Sequence, residues 1–176
     1  KLIDFNSLIE ESLKESRPLW KDSMEKEGLK VIVTTEFQKI PKIRCVIGEL
    51  KSAIYNLIKN SIEAMPKGGE LTIKTGATGT TVFATFTDTG IGMNEDTKLK
   101  IFQPFFSTKG FKLGRGLGLS GVYSTLKTHH GDIVVTSSEL DKGTTFEVTF
   151  PISEQEIEVV ETVKKIESKT NKSYNI

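Results

Sequence analysis

The sequence has a single cysteine, Cys45, and no apolar run near the ~18 residues that a membrane-spanning helix needs. One cysteine cannot form an internal disulfide, which favours a reducing compartment, and we expect a cytoplasmic location. Charge of one sign is lacking too, because 24 Lys and Arg offset 23 Asp and Glu. The net charge of +1 argues against strong nonspecific binding to nucleic acid or anionic lipid. Since the chain starts at Lys1 and not at Met, a longer parent protein could carry a membrane anchor elsewhere.

The length of 176 residues predicts one domain with a short appendage. We expect the domain over residues 1–152 and a polar C-terminal tail over residues 153–176, where Glu, Lys, Ser, Thr and Asn dominate. Apolar periodicity predicts helices over residues 4–16, 49–65, 95–102 and 116–130. Alternation and β-branched residues predict strands over residues 29–35, 43–47, 70–75, 80–87, 133–137 and 144–150, with a hairpin turn at 76–79.

This order of elements predicts an α+β fold of the two-layer α/β sandwich type. Its sheet should be mixed and mostly antiparallel, with the helices packed on one face. Residues 107–116 are rich in Gly, Lys and Arg with few apolar anchors, which predicts a mobile loop.

Two asparagines four residues apart, Asn56 and Asn60, project from one face of the predicted helix 49–65. Asn forms helices poorly, so this pair has two interpretations: solvated amides, or amide oxygens that bind a metal ion. Mg²⁺ prefers hard oxygen ligands, and one or two protein oxygens together with phosphate oxygens suit it. Glu63 lies on nearly the same face, either as a surface acid or as a partner of metal-bound water.

Asp88 ends a predicted strand and is followed by Gly90 and Gly92. In isolation this pattern is more often a simple Asp-Gly turn. A carboxylate here can also accept a hydrogen bond from the exocyclic amine of adenine, while the glycines let the base approach the backbone. The neighbouring clusters favour the adenine interpretation.

Residues 114–121 form a glycine-rich run before a predicted helix, an arrangement whose backbone N–H groups can bind phosphate. Residues 116–121 also match the G-x-G-x-x-G dinucleotide fingerprint, but no strand precedes them, as that fingerprint requires. Lys109 and Arg115 flank the run and are either surface charges or neutralising partners of the β- and γ-phosphates. His129 and His130 lie at the exit of the helix, where His favours the helix dipole, so neither is expected to accept phosphate.

These clusters together make residues 4–152 resemble the ATP-binding catalytic domain of sensor histidine kinases. That domain belongs to the superfamily of gyrase, the mismatch-repair ATPase and a heat-shock chaperone. The matching segments are the N box at 56–64, the first glycine box at 88–92, the F box at 102–109, the second glycine box at 114–119 and the closing strand motif at 143–146. The phenylalanines of the F box, Phe102, Phe105 and Phe106, are expected to anchor one end of the lid to the core.

The resemblance implies ATP and Mg²⁺ as cofactors, an ATP lid over 107–116, and transfer of the γ-phosphoryl group to a histidine. It implies Asn60 and Asn56 as metal ligands, and Asn56, Asn60, Lys109 and Arg115 as the catalytic set. The residues that it implies for nucleotide binding are Asn56, Lys59, Asn60, Glu63, Asp88, Gly90, Gly92, Ser107, Thr108, Lys109, Gly114, Arg115, Gly116, Leu117, Gly118, Leu119 and Thr144.

The end of the N box, with Glu63, is most similar to kinases of the nitrogen-regulation type. Many other kinases have Lys at this position, so Lys59 is the substitute candidate for a phosphate contact. The family's acceptor histidine lies on a separate dimerising hairpin, and nothing in this sequence resembles that hairpin. The implied partners are therefore the histidine-bearing dimerisation domain of the same kinase and a response regulator receiver domain, with no nucleic-acid or membrane contact by this fragment.

Three alternatives stay open at this stage. The first is a regulatory nucleotide-binding module without phosphotransfer. The second is a Ser kinase or clamp ATPase of the same superfamily, although those usually have a Glu at the position of Asn56 to activate water or a hydroxyl group. The third is a pure protein-interaction domain, which leaves the glycine-rich run without a purpose.

Overall fold

In the computed structural model, residues 1–106 and 118–152 are described. The helices are α1 (Phe5–Arg17), α2 (Ser23–Lys26), α3 (Ile47–Glu63), α4 (Glu95–Lys100) and α5 (Gly118–Thr128), with a π-helical turn at Pro18–Asp22 between α1 and α2. The strands are β1 (Leu2–Ile3), β2 (Val31–Phe37), β3 (Ile43–Arg44), β4 (Gly69–Thr78), β5 (Thr81–Asp88), β6 (Asp132–Glu139) and β7 (Gly143–Pro151). None of the helices in the described ranges has the length and apolarity needed to cross a membrane.

Five strands form the main sheet in the order β2-β4-β5-β7-β6. The pair β2–β4 is parallel and the other three pairs are antiparallel. Helices α1, α3 and α5 pack together on one face of this sheet, where α3 contacts β5 and α5 contacts β6. The predicted α+β sandwich with a mixed, mostly antiparallel sheet is confirmed.

The core lies between the helices and the sheet because each layer has one apolar face. On β5 the residues Val82, Ala84 and Phe86 are buried, while the alternate residues are partly exposed on the other face. From the helical layer, Leu57 and Ile58 of α3 are fully buried. Asp88 continues the buried alternation of β5, so its carboxylate lies on the helical side of the sheet.

The ends of the long helices follow local signals. The Asp4 side chain caps α1 by accepting a hydrogen bond from the Ser7 N–H at 3.2 Å. Helix α1 ends at Arg17, directly before Pro18, although the chain stays helical through the π turn. Helix α3 starts at Ile47, two residues earlier than predicted, so that only Ile43–Arg44 of the predicted strand 43–47 is extended.

Two features of the sheet differ from the prediction. The hairpin turn lies at Gly79 and Thr80, and not at 76–79, since β4 continues to Thr78. Gly76 lies inside the strand, paired with Phe83 of β5, and a Cβ atom there would be 2.5 Å from the tip of the Phe83 ring. The two-stranded sheet of β1 and β3 was not predicted.

Candidate functional site

Asp88, the last residue of β5, is 2% exposed and accepts two backbone hydrogen bonds with one carboxylate oxygen. Its Oδ1 accepts from the N–H of Gly90 at 2.9 Å and from the N–H of Thr144 at 3.3 Å. Its Oδ2 is buried and has no hydrogen-bond partner among the described residues. The side chain therefore has one oxygen fixed by the backbone and one oxygen available to a ligand.

Burial raises the pKa of the Asp88 carboxyl group above its ordinary value, and this effect outweighs the hydrogen bonds from Gly90 and Thr144, which lower the pKa. The hydroxyl of Ser61 is close enough to lower the pKa slightly, although it lies outside hydrogen-bond geometry in this conformation. Ser61 is 1% exposed and projects from α3. An unpaired acceptor and an unpaired hydroxyl therefore lie near each other at the end of the N-box helix.

The first glycine box packs closely against two neighbouring segments. The N–H of Ile91 donates to Ala64 O, at the end of α3, at 2.8 Å, and a Cβ atom on Gly90 would collide with that carbonyl group. Gly92 has φ +64°, and a Cβ atom there would collide with Glu139 O at the end of β6. The loop 88–93 is thus held between the end of α3 and the β6–β7 turn.

The N-box asparagines Asn56 and Asn60 lie on α3, the helix whose end is bonded to the loop 88–93. The side-chain NH₂ group of Asn60 donates to the backbone carbonyl of Asn56 at 2.8 Å, which leaves the amide oxygen of Asn60 as the atom available to a cation. A Cβ atom on Gly118, the first residue of α5, would be 3.5 Å from Asn60 Nδ2. The start of α5 therefore meets the N box, and α3 also contacts β5, the strand that ends at Asp88.

The structure describes only some of the residues that the sequence singles out. Asn56 and Asn60 are half-buried, Lys59 and Glu63 are exposed on α3, and Leu119 is partly buried against the core. The predicted site residues outside the described ranges are Ser107, Thr108, Lys109, Gly114, Arg115, Gly116 and Leu117. The predicted loop 107–116 and the predicted tail 153–176 also lie outside them.

Thr144 is directly opposite Asp88 in the β5–β7 register, and both side chains are buried. The Thr144 hydroxyl is 2.9 Å from the hydroxyl of Ser138 on β6. Gly143, with φ +88°, brings its backbone so close to Asp88 O that a Cβ atom would collide with it. Ser138 was not among the residues predicted from the sequence, where its only signal is a Thr-Ser-Ser segment shortly before Gly143.

The two histidines have structural roles. His129 is buried, with Nδ1 2.7 Å from the Thr125 carbonyl and Nε2 accepting from the Val46 N–H at 3.0 Å. His130 is exposed and has φ +58°, in the left-handed position that ends α5. His129 thus links the end of α5 to the start of α3, with both ring nitrogens occupied.

Of the F-box phenylalanines, only Phe102 is clearly an anchor. Its ring centroid lies 5.7 Å from that of Tyr123 and 6.2 Å from that of Phe146. Phe106 is partly buried. Phe105 is 80% exposed and has φ +63°, so the prediction that it packs on the core was wrong.

The comparisons with known proteins identify a family and a fold for the chain. Residues 46–154 match the family model described as histidine kinase-, DNA gyrase B-, and HSP90-like ATPase. Sporulation kinase E of Bacillus subtilis is 40% identical over 114 residues, which cover 64% of this chain and 15% of that protein. The chain therefore spans only a small part of the length of this curated relative.

Among solved structures, the catalytic domain of histidine kinase ThkA superimposes with a TM-score of 0.71 at 27% identity, covering 86% of this chain and 94% of that one. The histidine kinase ThkA in complex with the response regulator protein TrrA superimposes with a TM-score of 0.68 at 24% identity, covering 87% of this chain and 42% of that one. The chain belongs to the histidine kinase-, DNA gyrase B- and HSP90-like ATPase family, and within it to the catalytic ATP-binding domains of sensor histidine kinases.

Proposed function

We propose that this domain binds Mg·ATP and delivers the γ-phosphoryl group to a histidine on the dimerisation domain of the same kinase, from which it passes to an aspartate of a response regulator. The observation that carries the proposal is the half-satisfied carboxylate of Asp88. Its Oδ2 is a buried acceptor without a partner among the described residues. A buried unpaired acceptor is unfavourable, and a ligand that donates a hydrogen bond there relieves the cost.

The exocyclic amine of adenine is a donor of the required kind. The backbone N–H groups of Gly90 and Thr144 hold Oδ1, so the donor of the ligand has to approach Oδ2. Thr144 is paired with Asp88 on the neighbouring strand, and its side chain would contact the same edge of the base. Guanine has a carbonyl oxygen in place of this amine and would put two acceptors together.

The phosphates would lie between the N box and the start of α5. The amide oxygens of Asn60 and Asn56 suit a magnesium ion, which would neutralise phosphate charge when bound. Backbone N–H groups at the start of α5, which begins at Gly118, would donate to phosphate oxygens. On the evidence of the sequence motifs, Lys109 and Arg115 would supply further positive charge. The remaining predicted contacts of the lid are Ser107, Thr108, Gly114, Gly116 and Leu117.

This domain would contribute positioning and charge neutralisation, with little covalent chemistry of its own. Asn56 cannot take up a proton, which disfavours the alternative of a Ser kinase or clamp ATPase that needs a general base at this position. Without the acceptor domain we expect ATP binding with very slow hydrolysis. The complex of ThkA with TrrA supports a response regulator as the eventual acceptor. Two finer assignments stay predictions: the nitrogen-regulation subtype, with Glu63 and Lys59 near the phosphates, and the boundary between domain and tail at residue 152.

Calorimetric titration of Mg·ATP into the chain tests the site. Asp88→Ala and Asn60→Ala should each weaken binding by about tenfold or more, as expected for losing a hydrogen bond or a metal ligand. Asp96→Ala is the matched control, because Asp96 is exposed on α4. Binding that survives both site substitutions contradicts the assignment. Mixing the chain with labelled ATP and a purified histidine-bearing hairpin then separates a kinase from a regulatory module, since only the kinase labels the hairpin.

A further inference from the structure

Ser138 joins two parts of the site that are distant in sequence. Its Oγ accepts the Met93 N–H, at the end of the first glycine box, at 2.9 Å. The same Oγ is 2.9 Å from Thr144 Oγ1 and 3.3 Å from the carbonyl oxygen of Gly143. Asp88 joins the same two parts, because its Oδ1 accepts from the N–H groups of Gly90 and Thr144. Ser138 and Asp88 are therefore two side chains whose hydrogen bonds connect the loop 88–93 to the strand β7 that holds Thr144.

A β-bulge is the reason why Ser138 reaches this position. Val135 pairs with Phe146, but the next paired residue is Ser137, opposite Thr145, so the register shifts by one residue. Without the shift, regular alternation would put Ser137 on the buried face and turn Ser138 outward. Bulges are frequent next to binding sites because they redirect a side chain in this way. The sheet is thus irregular at the point where it places a hydroxyl group against Thr144.

The number of hydrogen bonds that a hydroxyl group can make favours one direction of the contact between Ser138 and Thr144. Ser138 Oγ has one donor and two acceptor positions, and the Met93 N–H takes one acceptor position. If Ser138 donates to Gly143 O, its second acceptor position receives the Thr144 hydroxyl proton, and all three contacts are made together. If Ser138 donates to Thr144 instead, the bond to Gly143 is lost. In the first arrangement Thr144 Oγ1 has only lone pairs left for a ligand.

We propose that Ser138 is a positioning residue of the nucleotide site, which holds the end of the first glycine box and keeps the Thr144 hydroxyl as an acceptor toward the base. Two acceptors, Asp88 Oδ2 and Thr144 Oγ1, then face a 6-amino purine and disfavour a 6-oxo purine. This inference rests on the proposed function, because it assigns base selectivity to the same site. Ser138 acts through Thr144 and the loop, and needs no contact with the nucleotide.

The experiment is calorimetric titration of the full chain with Mg·ATP and with Mg·ITP, in which an oxo group replaces the exocyclic amine. In Ser138→Ala the Thr144 hydroxyl is free to rotate and to donate to the oxo group. We expect ATP binding to weaken about tenfold, the loss of about one hydrogen bond, and ITP binding to weaken less. The preference for ATP over ITP should therefore fall. Ser138→Thr keeps the hydroxyl group and should restore most of the preference.

Ser137→Ala is the matched control, since Ser137 is the same residue type, adjacent and exposed. It should leave both affinities unchanged. If Ser138→Ala does not fold, Thr144→Val removes the other hydroxyl at nearly constant volume and should reduce the preference in the same way. Equal weakening of ATP and ITP, or no change in either, overturns the inference. If Asp88→Ala also leaves ATP binding unchanged, the proposed function itself fails; if Asp88→Ala removes binding, only the role of Ser138 fails.

Discussion

Replacing Asp88 with asparagine should weaken nucleotide binding and stabilise the ligand-free domain. Asn has almost the same shape, so packing is preserved. Its orientation is fixed because the N–H groups of Gly90 and Thr144 both need an acceptor at the Oδ1 position. The NH₂ group then replaces Oδ2 and meets the exocyclic amine of adenine, donor against donor.

The loss of affinity follows from the hydrogen bond that is removed. Hydrogen bonds to charged groups contribute about 1.5–3 kcal/mol, which corresponds to a factor of about 10 to 150 in Kd. Calorimetry with Mg·ATP measures this loss directly. For the ligand-free protein, the new NH₂ group can donate to the unpaired hydroxyl of Ser61, and no charge remains buried. Leaving a buried acceptor unpaired costs about 1–3 kcal/mol, and Asp88→Asn should recover part of this.

The pH dependence of the free energy of unfolding tests the stability effect of Asp88→Asn. The pKa of Asp88 in the folded state is raised above its ordinary value, mainly by burial. Between these two pKa values the folded state keeps a proton that the unfolded state has released, so stability falls as pH rises through this window. The advantage of Asp88→Asn should therefore grow over the same window and stay constant above it. Urea unfolding of both proteins measures this advantage at a series of pH values that starts at about 3.5, near the ordinary pKa of Asp.

Asp132→Asn is the control with the opposite sign. A hydrogen bond from Lys127 lowers the pKa of Asp132, so this exposed pair stabilises the fold above the ordinary pKa and the contribution is lost as pH falls through the lowered value. Its removal should cost less than about 1 kcal/mol, as for other surface pairs. Wild-type ATP affinity in Asp88→Asn, or an advantage in stability that does not change with pH, would refute the reasoning about Asp88.

Three further predictions concern the frame around the site, and urea unfolding measures each free energy. His129→Ala removes the acceptor of the Val46 N–H and the contact with Thr125, so we expect the free energy of unfolding to fall by about 1–3 kcal/mol. An unchanged midpoint would show that the link between α5 and α3 is unimportant. His130→Gly relieves a left-handed residue with φ +58° and should gain about 0.5–1 kcal/mol; a loss would contradict this. Gly143→Ala combines a positive φ with a backbone collision and should lower the free energy of unfolding by about 3 kcal/mol. Gly79→Ala also has a positive φ, but a Cβ atom there would have no atom within 4 Å, so its cost should be about 1 kcal/mol. Equal costs would refute the collision at Gly143.

Local patterns were sufficient for the elements that bury one continuous face. Helix α3 has apolar residues at helical spacing throughout, and its predicted and observed bounds differ by only two residues at each end. The β5 and β7 strands alternate regularly and were predicted with similar accuracy. These same elements carry Asn60, Asp88 and Thr144, the candidate site residues that the sequence motifs and the family resemblance selected.

Features that depend on a distant partner could not be predicted. Gly76 has the local signature of a turn, yet it lies inside β4 because it pairs with Phe83 of the next strand. The two residues of β1 form a strand only because Ile43–Arg44 lies beside them. His129 has the signature of a helix C-terminus, and its bond to Val46 joins residues 83 positions apart. In each case the deciding contact is between segments whose approach the local pattern does not encode.

The β6 bulge lies at the end of the sheet that contains the candidate site residues Asp88 and Thr144. A regular β6 would put Ser137 opposite Thr144, so the bulge determines which of two adjacent serines pairs with Thr144. The cost of the irregularity is a disrupted ladder at one position of an edge strand, where few neighbouring bonds depend on it. The same end of the sheet has the buried carboxylate of Asp88 and two glycines, Gly92 and Gly143, at which a Cβ atom would collide with backbone atoms. The unpaired Oδ2 of Asp88 is unfavourable in the ligand-free fold, and under the proposed function a hydrogen-bond donor of the ligand would lie beside it.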